Sequence, residues 1–582
     1  MDWVRPLHPS AVPAWMIERA TQRRLAGDWR GACEAAAVDV DVDLRAIRRV
    51  HGADVADEVE GDLRHLVPDL LRWHLPRGRP GGLLRGGAWF PLALFPDGHA
   101  LAARPPVWHD RPQRISVRFH RIAADERGGA RDDTLMLLRD RWDARCTAEL
   151  LARSGGVTRL PFFAPDGQRL PDDEVAGDGP EGQVELALEV GGQGRHADAW
   201  AAAGFDLEVL LFRPEWGPDR IDPAAFDRAR TDARDTVVNR SLAGLRPVHT
   251  WLVEAAHRTL ARVPALRLVE PWPSEPPRVL PWPTEVDERA GLVRIDLRGR
   301  CLVLDRLDSP RPRARLVSRL PRGETDEDRE RAEVAAFGLE LARMPRMPFV
   351  LARRPAELTA LLRGDLRPDD LHPLVRAALF PERPPRPPAV TGPLRDTVRV
   401  RCDNATHEVV IHDGTFTLPH PQAEIDRERM VEALGGGVQG CVAARDGWRD
   451  HTVRMPRPMR RLRDELLTRV WHGDGPGVAA ALDGGIDPHV RDERGRTLLH
   501  LLPWLSGADL LPRLLAAGLR VDARDVDGET PLHSAVAHGS PDLVRALLAA
   551  RADPKAMSTG RHGRVAAWTE RPDLGFLRQL RR

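Results

Sequence analysis

At 582 residues the chain is too long for one hydrophobic core, and roughly three to five domains of about 100–200 residues are expected. Its 42% hydrophobic and 30% charged residues are a folded protein's composition, and a net charge of +1 supplies no global field toward nucleic acid or an anionic membrane. Lys555 is the only lysine and lies in neither a Walker A loop nor a Schiff-base context, which argues against a P-loop NTPase, a protein kinase and a pyridoxal-phosphate enzyme.

Tyrosine is absent while alanine, arginine, glycine and proline abound, the usage of a GC-rich bacterial genome. Five scattered cysteines form no disulfide framework and suit a reducing compartment. The first residues lack a signal-peptide pattern, and no run of 18 apolar residues occurs, so a cytoplasmic chain with no membrane partner is expected.

In chain order, residues 11–75 read as helices, and 1–78 as a helical segment. An α+β region, 79–270, follows. It holds a hairpin about Pro96-Asp97-Gly98, a strand at ISVRFHRI, a helix near 141–155, a strand at QVELALEV (183–190) and mostly helix over 223–262. The acidic residues Asp172–Glu174, Asp178 and Glu181 lack the ordered spacing of a calcium loop and read as a solvated loop. Pro271-Trp272-Pro273 and Pro281-Trp282-Pro283 mark an extended spacer. A second α+β region, 286–380, has a hairpin about Arg298-Gly299 and helices at 325–342 and 355–380.

The proline-rich stretch 381–393 separates this from a small β-rich module, 394–453, with strands TVRVRC, HEVVIH and TFTL and the helix AEIDRERMVEAL. With residues 403–406 as the turn, Cys402 and His407 stand opposite each other, and Cys441 can approach them. Two near ligands fall short of the three or four that zinc takes, so packing is the expectation here and no metal or cofactor is assigned. Gly435-Gly436-Gly437 ends a helix rather than opening one, and the basic run Arg454–Arg463 reads as a solvated joint.

From residue 459 the chain repeats itself at a period of 33. The copy 525–557 carries Gly528, Thr530-Pro531-Leu532-His533, Gly539, Leu547-Leu548 and Ala552-Asp553. The copy 492–524 keeps Gly495, Thr497, Leu499-His500, Leu514-Leu515 and Gly518, with a leucine where Pro531 stands. Degenerate copies flank both. Thr530 is placed to cap a helix that Pro531 opens at its first position. This segment, 459–582, resembles ankyrin repeats, which implies paired antiparallel helices in an all-α solenoid and a function in protein recognition. His533 is then a structural hydrogen-bonding residue. For residues 1–453 no family resemblance is identified.

The expectation is a multidomain protein: an α+β N-terminal body, a small β-rich module and an ankyrin-repeat solenoid that binds a protein partner on its concave face. The alternative is an enzyme of unrecognised class within 80–390, recruited or regulated through the repeats, although no catalytic motif is found. No nucleic-acid partner is expected. In the resemblance's register, the concave wall holds Trp471 and His472, Trp504 and Leu505, and Ala537 and His538. Arg494, Arg496, Asp527 and Glu529 stand near the hairpin tips as a charged rim.

Overall fold

The computed structural model describes residues 12–558, apart from 76, 78–82, 85–88, 96–98, 107–111, 122–137, 213–241, 243–244, 246–250, 260–291, 298–299, 320–345, 348, 353–354, 385–396, 403–404, 413–414, 437–439, 456, 506–508 and 539. The expected turns at 96–98 and 298–299, the Pro-Trp-Pro spacer, the helix at 325–342, most of the 381–393 linker and the last degenerate repeat lie outside the described residues.

Among the described residues there are three large hydrophobic cores and one small cluster of Trp89, Ala100 and Ala102. The first joins α1 (Ala14–Leu25), α2 (Trp29–Ala35), α3 (Leu44–His51), α4 (Ala53–His65) and α5 (Pro68–His74) to a four-stranded sheet. Strands β1 (Val38–Asp41), β2 (Phe90–Leu94), β3 (His99–Arg104) and β4 (Ile115–Arg121) lie in the order β1-β4-β3-β2. The expected hairpin is β2–β3, and ISVRFHRI forms β4. Residues 11–75 are not wholly helical, because β1 pairs parallel with β4 from Val38 opposite Ile115. A four-residue strand has too short an alternation to stand out between helices, and its partner lies far along the chain.

The second core runs from Val67 to Phe380. Its sheet orders β5 (Asp206–Phe212), β8 (Arg313–Arg319), β7 (Arg300–Asp305), β6 (Val293–Leu297) and β9 (Arg346–Met347), with the expected antiparallel β6–β7 hairpin at its centre. Helices α6 (Glu149–Arg153), α7 (Pro180–Gly192), α8 (His196–Ala202), α9 (Ala356–Arg363) and α10 (Pro373–Leu379) cover it, and residues 251–259 are helical. The expected strand at 183–190 is instead inside α7. Proline opens this helix, and Val184, Ala187, Leu188 and Gly191 bury one face while Leu186 stays exposed. Buried Glu185 accepts from the backbone N–H of Phe162 at 2.6 Å and of Ala176 at 2.8 Å, and pairs with Arg159 at 2.5 Å. Glu181 accepts from the N–H groups of Val157 and Thr158. The acidic stretch therefore ends in structural hydrogen bonds.

The third core runs from Val398 to Ala552 and takes in both the small module and the repeats. Strands β10 (Thr397–Cys402), β11 (Ala405–His412) and β12 (Thr415–Thr417) make an antiparallel sheet, followed by α11 (Gln422–Ala433) and α12 (Gly440–Arg449). Gly435, at φ +87°, closes α11 as a helix stop. The basic run at 454–463 is not solvated throughout. It enters α13 (Arg457–Trp471), whose Met459, Leu462, Leu466, Leu467 and Val470 recur at helical spacing and are buried. Then come α14 (Gly475–Asp483), α15 (Leu498–Leu501), α16 (Leu511–Ala516), α17 (Pro531–Ala537) and α18 (Pro541–Ala549). Among the described residues no helix is long and apolar enough to cross a membrane.

Candidate functional site

The repeated segment is built by residues doing the same work 33 positions apart. Asp492 Oδ1 accepts from the N–H groups of Arg494 and Arg496, and Asp525 Oδ1 from those of Asp527 and Glu529, which shapes two identical hairpin tips. Gly495 and Gly528 occupy left-handed φ of +72° and +71° within them. Arg491 Nη1 donates to Gly495 O in its own tip and to Arg524 O in the next. Arg524 Nη1 donates to Gly528 O and then to Met557 O.

Thr497 and Thr530 start α15 and α17, and each donates its backbone N–H to the imidazole Nδ1 three residues on, in His500 and His533, at 3.1 Å. The far side of His500, Nε2–H, donates to Glu529 O of the following repeat at 3.0 Å. Burial holds His500 down to about 4, so it is neutral as this bonding requires.

The expected concave wall is only partly open. Trp471 is half-buried against the third core. His472 is buried, and burial together with the charges of Arg72 and Arg77 holds it well below the usual imidazole range. Nearby, Arg19 of α1 donates to Asp474 at 2.8 Å, so the N-terminal body meets the start of the repeats. Trp504 and Leu505 are only 3% and 7% exposed. Trp504 packs edge-on to His538 at 4.3 Å and lies 5.3 Å from the Arg496 guanidinium.

The two tryptophans are therefore not both exposed on the concave wall. Leu498, Leu501 and Leu502 leave the short helix no polar face to turn Trp504 outward, and it joins their core. Glu529 is buried, Arg496 pairs with Asp492 at 2.7 Å, and His538 is half-buried. Of the rim, Arg494 and Asp527 reach solvent and pair with each other at 2.5 Å. Val526, on the second tip, and Met557, in the position that Arg524 holds one repeat earlier, are exposed apolar side chains.

The small module holds a second constellation. The turn joining β10 and β11 is two residues shorter than expected, so Cys402 pairs with Ala405 and His407 with Val400. Cys402 and His407 thus share a face as diagonal neighbours rather than standing opposite. The loop after β12 adds His420, and the first turn of α12 adds Cys441. One donor atom from each of the four lies within 4.8 Å of the others. Burial, and then the hydrogen bond with Cys402, push the Cys441 thiol up to about 12.

In the N-terminal body, His372 Nε2 lies 2.8 Å from Asp69, and His74 Nδ1 lies 3.3 Å from Glu357. Arg153 pairs with Asp140 at 2.7 Å. All six side chains are at most 3% exposed, which leaves a substrate no approach. These polar pairs tie α5 to α9 and α10 and brace the body.

No curated protein matches the chain. Residues 468–558 match the family described as ankyrin repeats (3 copies), and no family matches the N-terminal part. The period of 33, the paired threonine and histidine of each repeat and the family match agree: the C-terminal part of this chain is made of ankyrin repeats.

Proposed function

We propose that this protein binds another protein through its ankyrin segment, as ankyrin repeats generally do, and that the N-terminal body carries and orients that segment. The carrying observation is the pair of matched hairpin tips, which put Arg494, Val526 and Asp527 in solvent on a frame of part-buried hydrogen bonds, with exposed Met557 33 residues beyond Arg524. Charged groups flanking exposed apolar side chains on a rigid backbone suit recognition of a folded partner's loop or an extended peptide. Trp471, Arg496 and His538 are half-buried, and His472, Trp504, Leu505 and Glu529 are buried, so they act through the shape of the segment and not as its exposed contacts.

The test is in-cell cross-linking followed by mass spectrometry on the full chain, comparing wild type with Arg494→Glu combined with Val526→Asp. A partner held at the tips loses about tenfold or more in recovery, the scale of a hot-spot change of about 1.4 kcal/mol or more, while the far-UV spectrum is unchanged. Equal recovery of every cross-linked protein would place recognition elsewhere and sink this reading.

A further inference from the structure

Cys402 closes strand β10, His407 lies on β11, His420 follows β12 and Cys441 opens α12, so four separate elements converge on one point. Cys402 Sγ is 3.2 Å from Cys441 Sγ and 3.6 Å from His420 Nε2. Cys441 Sγ is 3.8 Å from His407 Nδ1, and the two imidazole nitrogens are 3.0 Å apart. A tetrahedral zinc ion with bonds of about 2.3 Å to sulfur and about 2.0–2.1 Å to nitrogen sets edges of about 3.8 Å between sulfurs, 3.6 Å between sulfur and nitrogen and 3.3 Å between nitrogens. These four of the six edges fall within about 0.6 Å of their counterparts, and the other two are no longer than 4.8 Å. Two thiols and two imidazoles are also the soft and borderline donors that select zinc over magnesium or calcium.

Groups behind the donors fit the same chemistry. His420 Nδ1 lies 2.9 Å from Glu424 Oε2, so the carboxylate accepts the Nδ1–H hydrogen bond and the Nε2 lone pair faces the cluster. The Cys441 N–H donates to Cys402 Sγ at 3.0 Å, which holds that sulfur against the first turn of α12. Gly440 makes that approach possible. It sits at φ +58°, and a Cβ there would lie 2.3 Å from Cys402 Sγ.

We infer that Cys402, His407, His420 and Cys441 bind one zinc ion in a closed tetrahedral site. With four protein donors no coordination position is left for substrate, so the ion is structural. It joins the three-stranded sheet to α12. That helix then holds the first repeat, since Trp448 Nε1 donates to Asp487 O at 2.9 Å and Arg449 pairs with Asp487 at 2.6 Å. The metal thus anchors the edge on which the repeats are stacked.

Two rivals use part of the cluster. A Cys402–Cys441 disulfide accounts for the sulfurs and leaves the facing imidazoles without a role. A nucleophilic Cys402 activated by His420 and Glu424 accounts for neither Cys441 nor His407.

The full chain is purified without chelator under reducing conditions, and its zinc is counted by plasma mass spectrometry. About one zinc per chain is expected, falling about tenfold in Cys402→Ser and His420→Asn, while Cys146→Ser keeps its metal. Because ligand variants can misfold, wild type is also stripped and titrated with cobalt(II), where thiolate-to-cobalt absorption with tetrahedral visible bands is expected. Glu424→Gln keeps all four ligands and should lose about 10–100-fold in affinity by chelator competition. Iodoacetamide labelling of Cys402 should rise at least about tenfold on chelation. No retained zinc together with no cobalt spectrum overturns the proposal. So does a chain two hydrogens lighter by mass with Cys402 joined to Cys441, or labelling of Cys402 that is equally fast with metal bound.

Discussion

His500 makes the repeats sensitive to pH in one direction. Its imidazole is neutral and buried between Thr497 and Glu529 O, with burial holding it down to about 4, whereas an exposed histidine titrates near 6.5. When α15 opens, His500 takes up a proton in the window between these values that the closed form does not bind. Stability is therefore complete above the window and is lost as pH falls through it.

From about pH 7.5 to about pH 5 the open state gains roughly 30-fold over the closed state, or about 2 kcal/mol. Hydrogen exchange read by mass spectrometry on peptides spanning 497–505 of the full chain measures this opening, after correction for the intrinsic rate at each pH. His500→Gln removes the titrating group and should flatten the pH dependence while weakening the segment at both values. An opening constant for wild type that is the same at both pH values would mean that His500 is not a buried neutral donor, and the bonding assigned to it would fall.

Trp504→Ala should lower the stability of the C-terminal core by about 3–5 kcal/mol, read as a lower urea midpoint, because the indole fills that core; a neutral result would return it to the surface. Glu185→Ala leaves the N–H groups of Phe162 and Ala176 without their acceptor and Arg159 without its partner. A loss of about 3 kcal/mol or more is expected by thermal unfolding. Thr530→Val removes a hydroxyl 2.8 Å from His533 Nδ1 at the start of α17 and should cost about 1 kcal/mol in a urea titration at unchanged slope.

What was legible in the sequence was what is written locally. Thr530, Pro531 and His533 each have a task within one turn, so the repeat could be read from spacing alone, as could the hairpins β2–β3 and β6–β7. The segment 183–190 carries both periods at once: Val184, Leu186 and Leu188 alternate, while Val184, Leu188 and Gly191 follow a helix. Its arbiter is Glu185, whose partners lie 23 and 9 residues away.

The metal-type cluster was half visible. Cys402, His407 and Cys441 could be suspected, but His420 enters through a loop, and a spacing of C-x4-H-x12-H-x20-C belongs to no compact motif. Glu424, four residues beyond a histidine at the mouth of a helix, was the one available signal. Burial on the concave face was not legible, because exposure depends on what packs across it. His472 and Trp504 are covered by this chain's own residues, which no period of 33 encodes.

The arginines at 491 and 524 have a consequence for how the segment tolerates change in length. Each clasps its own tip and the carbonyl 33 residues ahead, so the bonding has a fixed stride. Adding or removing one whole stride returns every guanidinium to an equivalent carbonyl. A single inserted residue between 497 and 523 would instead put Arg491 and His500 out of step with the tip that both bond. Length in this part of the molecule is thus discrete: the segment admits growth or loss by whole repeats and resists the small insertions that ordinary surface loops accept.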